Sequence, residues 1–285
     1  MSEVFDDTVC ELGEGPLWHP VREQLIWFDI LGGRLHRREG ERTRTVQFKE
    51  YVSAAGWVSE TDLLIASASR LFLFDLEREK AEDVEGLEAD NARTRSNDGR
   101  ADPWGGFWIG TMGTDAAAGA GAIYRYYKGE LRVVVPGLTI PNAICFAPGR
   151  GGAYYADSLT GKIMHQPLDS DGWPKGDARV FVDLTSENLV PDGAVVDADG
   201  NLWNAQWGAW RVACYDSEGA FVKAVPFDAA HTSCPAFGGP GLSTLFCTSA
   251  LELLSEADAG KSDKHGMVFA APEAGQGQAE HRVLL

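Results

Sequence analysis

The chain has 285 residues, 44% of them apolar and 10% aromatic, enough to bury a large core. A formal net charge of −17 repels phosphate backbones and anionic lipids, which argues against nucleic acid or a membrane as partner. Five widely spaced cysteines with no Cys-x-x-Cys pair argue against a disulfide framework or a zinc ribbon. The acidic start lacks a leader pattern, and no run approaches ~20 apolar residues, so a cytoplasmic chain is expected.

Taken in chain order, the elements repeat. After the extended Val4-Phe5 come six short runs rich in β-branched or aromatic residues. They are Leu25-Ile26-Trp27-Phe28, Leu63-Leu64-Ile65-Ala66, Phe107-Trp108-Ile109-Gly110, Ala153-Tyr154-Tyr155-Ala156, Leu202-Trp203-Asn204-Ala205 and Leu245-Phe246-Cys247-Thr248. Most follow a turn signal such as Pro103-Trp104-Gly105-Gly106 or Asp199-Gly200-Asn201, and their length and composition specify strands. A second run follows each, from Arg34-Leu35-His36 through Arg70 to Phe74, Ala122 to Tyr126, Lys162 to His165 and Arg211 to Tyr215, ending with Met267 to Ala270. Glu77 to Glu88 lacks an apolar stripe and reads as a turn and outer strand. Asp115 to Gly121 reads as a loop. A hairpin repeated at roughly 40–50 residues is the signature of a four-stranded propeller blade. The expectation is an all-β, six-bladed β-propeller occupying 1–285 as a single domain, closed by pairing Val4-Phe5 with His281 to Leu285.

Ten or eleven positions before each first run stand Glu14, Ser53, Asn97, Asn142, Asp192 and Cys234. Equivalent positions in successive blades form a ring about the axis. A ring this polar is costly unless something satisfies it, and buried carboxylates are generally paired or metal-bound. The hard oxygen donors suit Ca²⁺, Mg²⁺ or Mn²⁺, with Zn²⁺ or Fe²⁺ as further options. The alternative is that Asn and Asp simply make turns before strands, which Asn97-Asp98-Gly99 and Asp192-Gly193 also fit.

The same segments resemble the family of senescence marker protein (regucalcin), gluconolactonase and luciferin-regenerating enzyme, bacterial sugar lactonases above all. The matching motifs are Gly13-Glu14-Gly15-Pro16-Leu17-Trp18, Arg95-Ser96-Asn97-Asp98-Gly99, Gly110-Thr111-Met112, Pro141-Asn142-Ala143, Pro191-Asp192-Gly193 and Phe237-Gly238-Gly239-Pro240. They occur in order and span nearly the whole chain. The resemblance implies a six-bladed propeller holding one divalent ion in its axial channel. It implies Glu14, Asn142 and Asp192 as ligands, Asp192 also as the general base, and Arg95 and Asn97 as substrate contacts. It implies a sugar lactone as substrate. The loop 113–121 departs from the animal members, with Ala117 or a neighbour where they carry an acidic substrate contact; Asp115 is the acid this loop offers instead.

For lactone hydrolysis a divalent ion polarises the carbonyl and activates water, while Arg95 favours a developing oxyanion. Two other functions fit an ion-centred channel: hydrolysis of another ester or a phosphotriester, and calcium binding without catalysis. Trp57, Trp207 and Trp210 are candidates for the channel mouth, against the commoner role of packing between blades. Cys234 reads as a bland small residue and His231 as a solvated loop histidine. With no Gly-x-Ser-x-Gly and no His-Glu-x-x-His, serine esterase and zincin chemistry are not indicated.

Overall fold

The computed structural model describes residues 2–285, and among these the predicted runs form strands arranged as six four-stranded antiparallel sheets. The sheets are the blades, numbered here in chain order. The inner strands are Gly13–His19, Val52–Trp57, Thr94–Ala101, Pro141–Phe146, Val190–Val196 and His231–Gly238. Each inner strand packs against the inner strands of both neighbouring blades, the sixth against the first, so the circle closes. The turn-and-strand expectation for Glu77 to Glu88 is met by the outer strand Lys80–Gly86.

The core is distributed between blades. Ile26, Leu35 and Phe28 of the first blade pack with Ile65, Phe72 and Phe74 of the second, and similar clusters fill the other interfaces. Trp108 and Trp203 come from equivalent positions of the third and fifth blades, Trp27 from two residues further along the second strand of the first, and all three are fully buried. Large flat side chains fill the wedge between twisted sheets that diverge from a common axis.

Closure differs from the sequence expectation. Glu3–Asp6 is the outer strand of the sixth blade and pairs with Val268–Ala271, not with His281 to Leu285. The three other strands of that blade already come from the C-terminal part of the chain, so the N-terminal strand completes it. The last residues instead cross the base of the propeller. The Ala198 and Gly277 amides donate to the carbonyls of Gln276 and Leu242, both at 2.8 Å. Val283 N donates to Trp57 O at 2.9 Å, and Leu284 N donates to Gly105 O at 2.8 Å. Glu280 pairs with Arg100, both nearly buried. This tail covers the end of the axis at which the inner strands finish, leaving the end at which they start as the approach.

Candidate active site

Every inner strand breaks register with its neighbour once, and always at the predicted polar ring. The shifts fall between Glu14 and Leu17, Val52 and Ala54, Ser96 and Gly99, Asn142 and Cys145, Pro191 and Ala194, and Thr232 and Pro235. A β-bulge bends its strand and re-aims a side chain that would otherwise face along the sheet. Gly15 takes φ +53°, and a Cβ there would lie 2.3 Å from the Ser53 carbonyl oxygen, so only glycine follows Glu14 without displacement. The groups freed by the bulges find side-chain partners. Asn204 Nδ2 donates to the carbonyls of Asp192 and Gly193 at 2.9 and 3.1 Å. Asp98 accepts from Ile144 N at 2.7 Å, tying the third blade to the fourth.

At this level Glu14, Arg95, Asn97, Asn142 and Asp192 are all buried. Three members of the set, with Ser158, form one directed chain. Arg95 Nη1 donates to Asn97 Oδ1 at 2.8 Å; Asn97 Nδ2 donates to Asn142 Oδ1 at 2.9 Å; Asn142 Nδ2 donates to Ser158 Oγ at 2.9 Å; and Ser158 donates to Pro191 O at 2.7 Å. A guanidinium only donates and a carbonyl only accepts, so the two ends fix every orientation between them. Asn142 therefore keeps its oxygen, not its nitrogen, on the Asn97 side, with one lone pair to spare.

Glu14 and Asp192 are the electrostatic centre. The Glu14 carboxylate accepts from the Gly15 amide at 3.1 Å, and neither carboxylate makes an ion pair within 4.0 Å among the described residues. Burial, and then the charge of Asp98, pushes Glu14 far above the ordinary carboxylate range; burial, and then Glu14, does the same to Asp192. Asp98 itself is pushed up to about 6, mainly by burial. Arg95 shares the space with Glu14 and Asp192; burial lowers its pKa, against the opposing charges of Glu252 and then Glu14. Ionising all three carboxylates would put excess negative charge into a dry setting, on hard oxygen donors with no imidazole among them. Such a set fits a divalent cation of the oxygen-preferring kind.

Sequence reading missed Asp98, Ser158 and Glu252. Asp98 looked like a turn residue, yet it sits inside a strand bulge. Ser158 follows the second strand of its blade and lies outside every ring position. Glu252 follows the strand Thr244–Ala250, half-buried at the rim. Of the other candidates, Trp57 lies at the base, where its indole donates to Glu280 O at 2.8 Å, so it is not at the mouth. Trp207 is at the approach end and stacks on His231 with centroids 4.2 Å apart. His231 is buried in its strand and bonded to the Glu252 carbonyl at 2.9 Å, not a solvated loop residue. Trp210 packs edge-on against His265. Asp115 is exposed and accepts from the Ala117 amide within its own turn. Cys234 is buried against Gly193.

A six-bladed propeller with carboxylates, amides and one arginine gathered at the axis defines a class of propellers with a buried polar axial site. Residues 12–251 match the family described as SMP-30/Gluconolactonase/LRE-like region, and the chain belongs to that family. It is similar to L-arabinolactonase of Azospirillum brasilense, 35% identical over 99% of this chain and 95% of that one. It is also similar to 6-deoxy-6-sulfogluconolactonase of Pseudomonas putida, 33% identical over 91% and 90%. Among solved structures, the calcium-binding protein regucalcin of Agrobacterium tumefaciens superposes with a TM-score of 0.97, at 37% identity, over 100% of this chain and 98% of that one.

Proposed function

We propose that the chain hydrolyses aldonolactones to aldonic acids at a centre where Glu14, Asn142 and Asp192 hold one divalent ion, calcium being the ion the donor set suits best. The activity rests on the lactonases to which the chain is similar along nearly its whole length. The observation that carries the site is the pair of buried carboxylates, Glu14 and Asp192, with no counter-charge of their own beside an Asn142 oxygen whose orientation is fixed.

When bound, the ion would supply polarisation of the lactone carbonyl and a more acidic water. The chain's own residues do the rest. Asp192 accepts the proton of the attacking water and returns it to the ring oxygen as the acyl carbon–oxygen bond breaks, so one water is consumed and one hydroxy acid released. Arg95, positively charged and buried, stands beside the oxyanion as it develops. Asn97 is held by Arg95 and Asn142 and orients the sugar hydroxyls. Trp207 and the half-buried Glu252 form part of the approach, an apolar face and an acceptor for a polyol. The tail across the base leaves a single direction of access.

The test is acid release on a pH-stat from glucono-, galactono-, xylono- and arabinolactone, before and after chelation and after metal is restored. Release that stops on chelation and returns with metal is expected. Turnover of every lactone unchanged by chelation would refute the ion-centred reading, and metal binding without turnover of any lactone would refute the enzymatic one.

A further inference from the structure

Away from the axis, where the first blade meets the sixth, Cys10, Asp29 and His36 converge. Each offers a ligand atom, and these atoms lie within 4.8 Å of one another. Cys10 sits in the segment leading into the first blade and is tied to the sixth by its amide, which donates to Gly266 O at 2.9 Å. Asp29 ends the strand Gln24–Asp29, and His36 lies on the strand Arg34–Glu39 beside it. None of the three exceeds 1% exposure.

The polar accounting around them does not close. The Nδ1 of His36 bonds the Thr45 hydroxyl at 2.9 Å, and its Nε2 is buried with no partner. The Trp27 ring stacks on His36 with centroids 5.4 Å apart, and its indole N–H is buried without an acceptor. The Cys10 thiol donates to the Thr8 carbonyl at 4.0 Å, the outer limit for sulfur. Asp29 spends one oxygen, Oδ1, on the amides of Leu12 and Gly32 at 3.0 and 3.2 Å. Its other oxygen has the partly exposed Arg34 guanidinium at 3.6 Å. Buried groups left unpaired carry their full desolvation penalty, so their meeting at one point calls for a reason.

We propose that Cys10, Asp29 and His36 form a second metal site, separate from the axial centre, that takes a thiophilic divalent cation of the zinc type. One sulfur, one imidazole nitrogen and one carboxylate are the donors such an ion prefers, whereas the axial set is oxygen-rich and suits calcium. On binding, the Cys10 thiol loses its proton to solvent and the sulfur–metal bond replaces the S–H. The thiolate and carboxylate then offset the dication, with the partly exposed Arg34 left to solvent. Thr45 accepts from Nδ1–H, which leaves the Nε2 lone pair free for the metal. Burial, and then the charge of Asp29, hold the Cys10 thiol protonated until a metal charge faces it. Zinc ligands with bonds of ~2.0–2.3 Å stand about 3.3–3.8 Å apart in a tetrahedron, so the group closes by about 1 Å at its widest when loaded.

Cobalt(II) distinguishes the two sites, because only a thiolate ligand gives an intense near-ultraviolet sulfur-to-cobalt charge-transfer band. Chelator-stripped full-length protein is refolded from urea with excess calcium, to fill the axial site, and one equivalent of cobalt, so that burial does not block loading. The expected result is one tightly held cobalt per chain with the charge-transfer band. The band should be lost in both Cys10→Ser and His36→Gln and retained in Cys234→Ser, the cysteine nearest the axis, while Cys10→Ser keeps calcium-dependent activity. Absence of the band in the unaltered protein overturns the site whatever the variants do, and so does a band that survives in folded Cys10→Ser.

Discussion

The buried carboxylate Glu14 makes stability depend on pH in a way that metal should reverse. Burial and the neighbouring Asp98 raise it from an ordinary 4.5 to about 8. A carboxyl whose folded pKa is raised lends its full stability below pH 4.5 and loses it as pH climbs through about 8, because the unfolded chain ionises first. The slope is about 1.4 kcal/mol per pH unit for one such group, so the metal-free protein should lose on the order of a few kcal/mol across that window from the carboxylate cluster. Asp192 and Asp98 act in the same direction. Against a typical domain stability of roughly 5–15 kcal/mol this is a large effect. Urea unfolding of the chelated protein at about pH 5, 6.5 and 8 measures it. Glu14→Gln keeps the side chain's shape and removes the titration, so its curve should fall much less. Saturating calcium stabilises the ionised form and should abolish the decline. If the chelated protein and Glu14→Gln lose stability in parallel as pH rises, the electrostatic account of the ring is wrong.

Other changes follow from named contacts. Asp192→Ala removes the proton acceptor and a ligand, and should lower kcat by ~10³-fold or more on a pH-stat, whereas Asn97→Ala should weaken turnover less and act mainly on KM. Glu280→Gln leaves Arg100 buried without its partner at the base, and should lower unfolding free energy by about 3–5 kcal/mol with kcat per folded molecule unchanged. Gly15→Ala forces a side chain into a left-handed position against the Ser53 carbonyl, and should cost about 1–3 kcal/mol and weaken calcium binding measured by calorimetry.

Much of this was legible before the structure because propeller blades repeat. The runs at Leu25, Leu63, Phe107, Ala153, Leu202 and Leu245 all became the second strands of their blades, and counting back from them located the ring. That counting works because a strand and a tight turn have fixed lengths. It fails for whatever the repeat does not encode. The bulges shift register at the ring, which is how Asp98 came inside the strand and beside Glu14 and Asp192. Glu252 and Ser158 reach the site from outside the inner strands, so no inner-strand periodicity points to them. The tail 272–285 crosses the base through isolated hydrogen bonds, Val283 to Trp57 and Leu284 to Gly105 among them, and such bonds leave no alternating pattern. Asp29 and His36 lie on paired strands of the first blade, and Cys10 joins them from the segment tied to the sixth, a meeting that no repeat encodes.

The central claim is that one cation sits among Glu14, Asn142 and Asp192. Anomalous diffraction from a crystal soaked in manganese tests it directly. The account predicts a single axial peak within about 2.1–2.6 Å of a Glu14 oxygen, Asn142 Oδ1 and an Asp192 oxygen. A fully soaked crystal with no peak there, or with those oxygens turned away from a peak bound elsewhere on the axis, would contradict it.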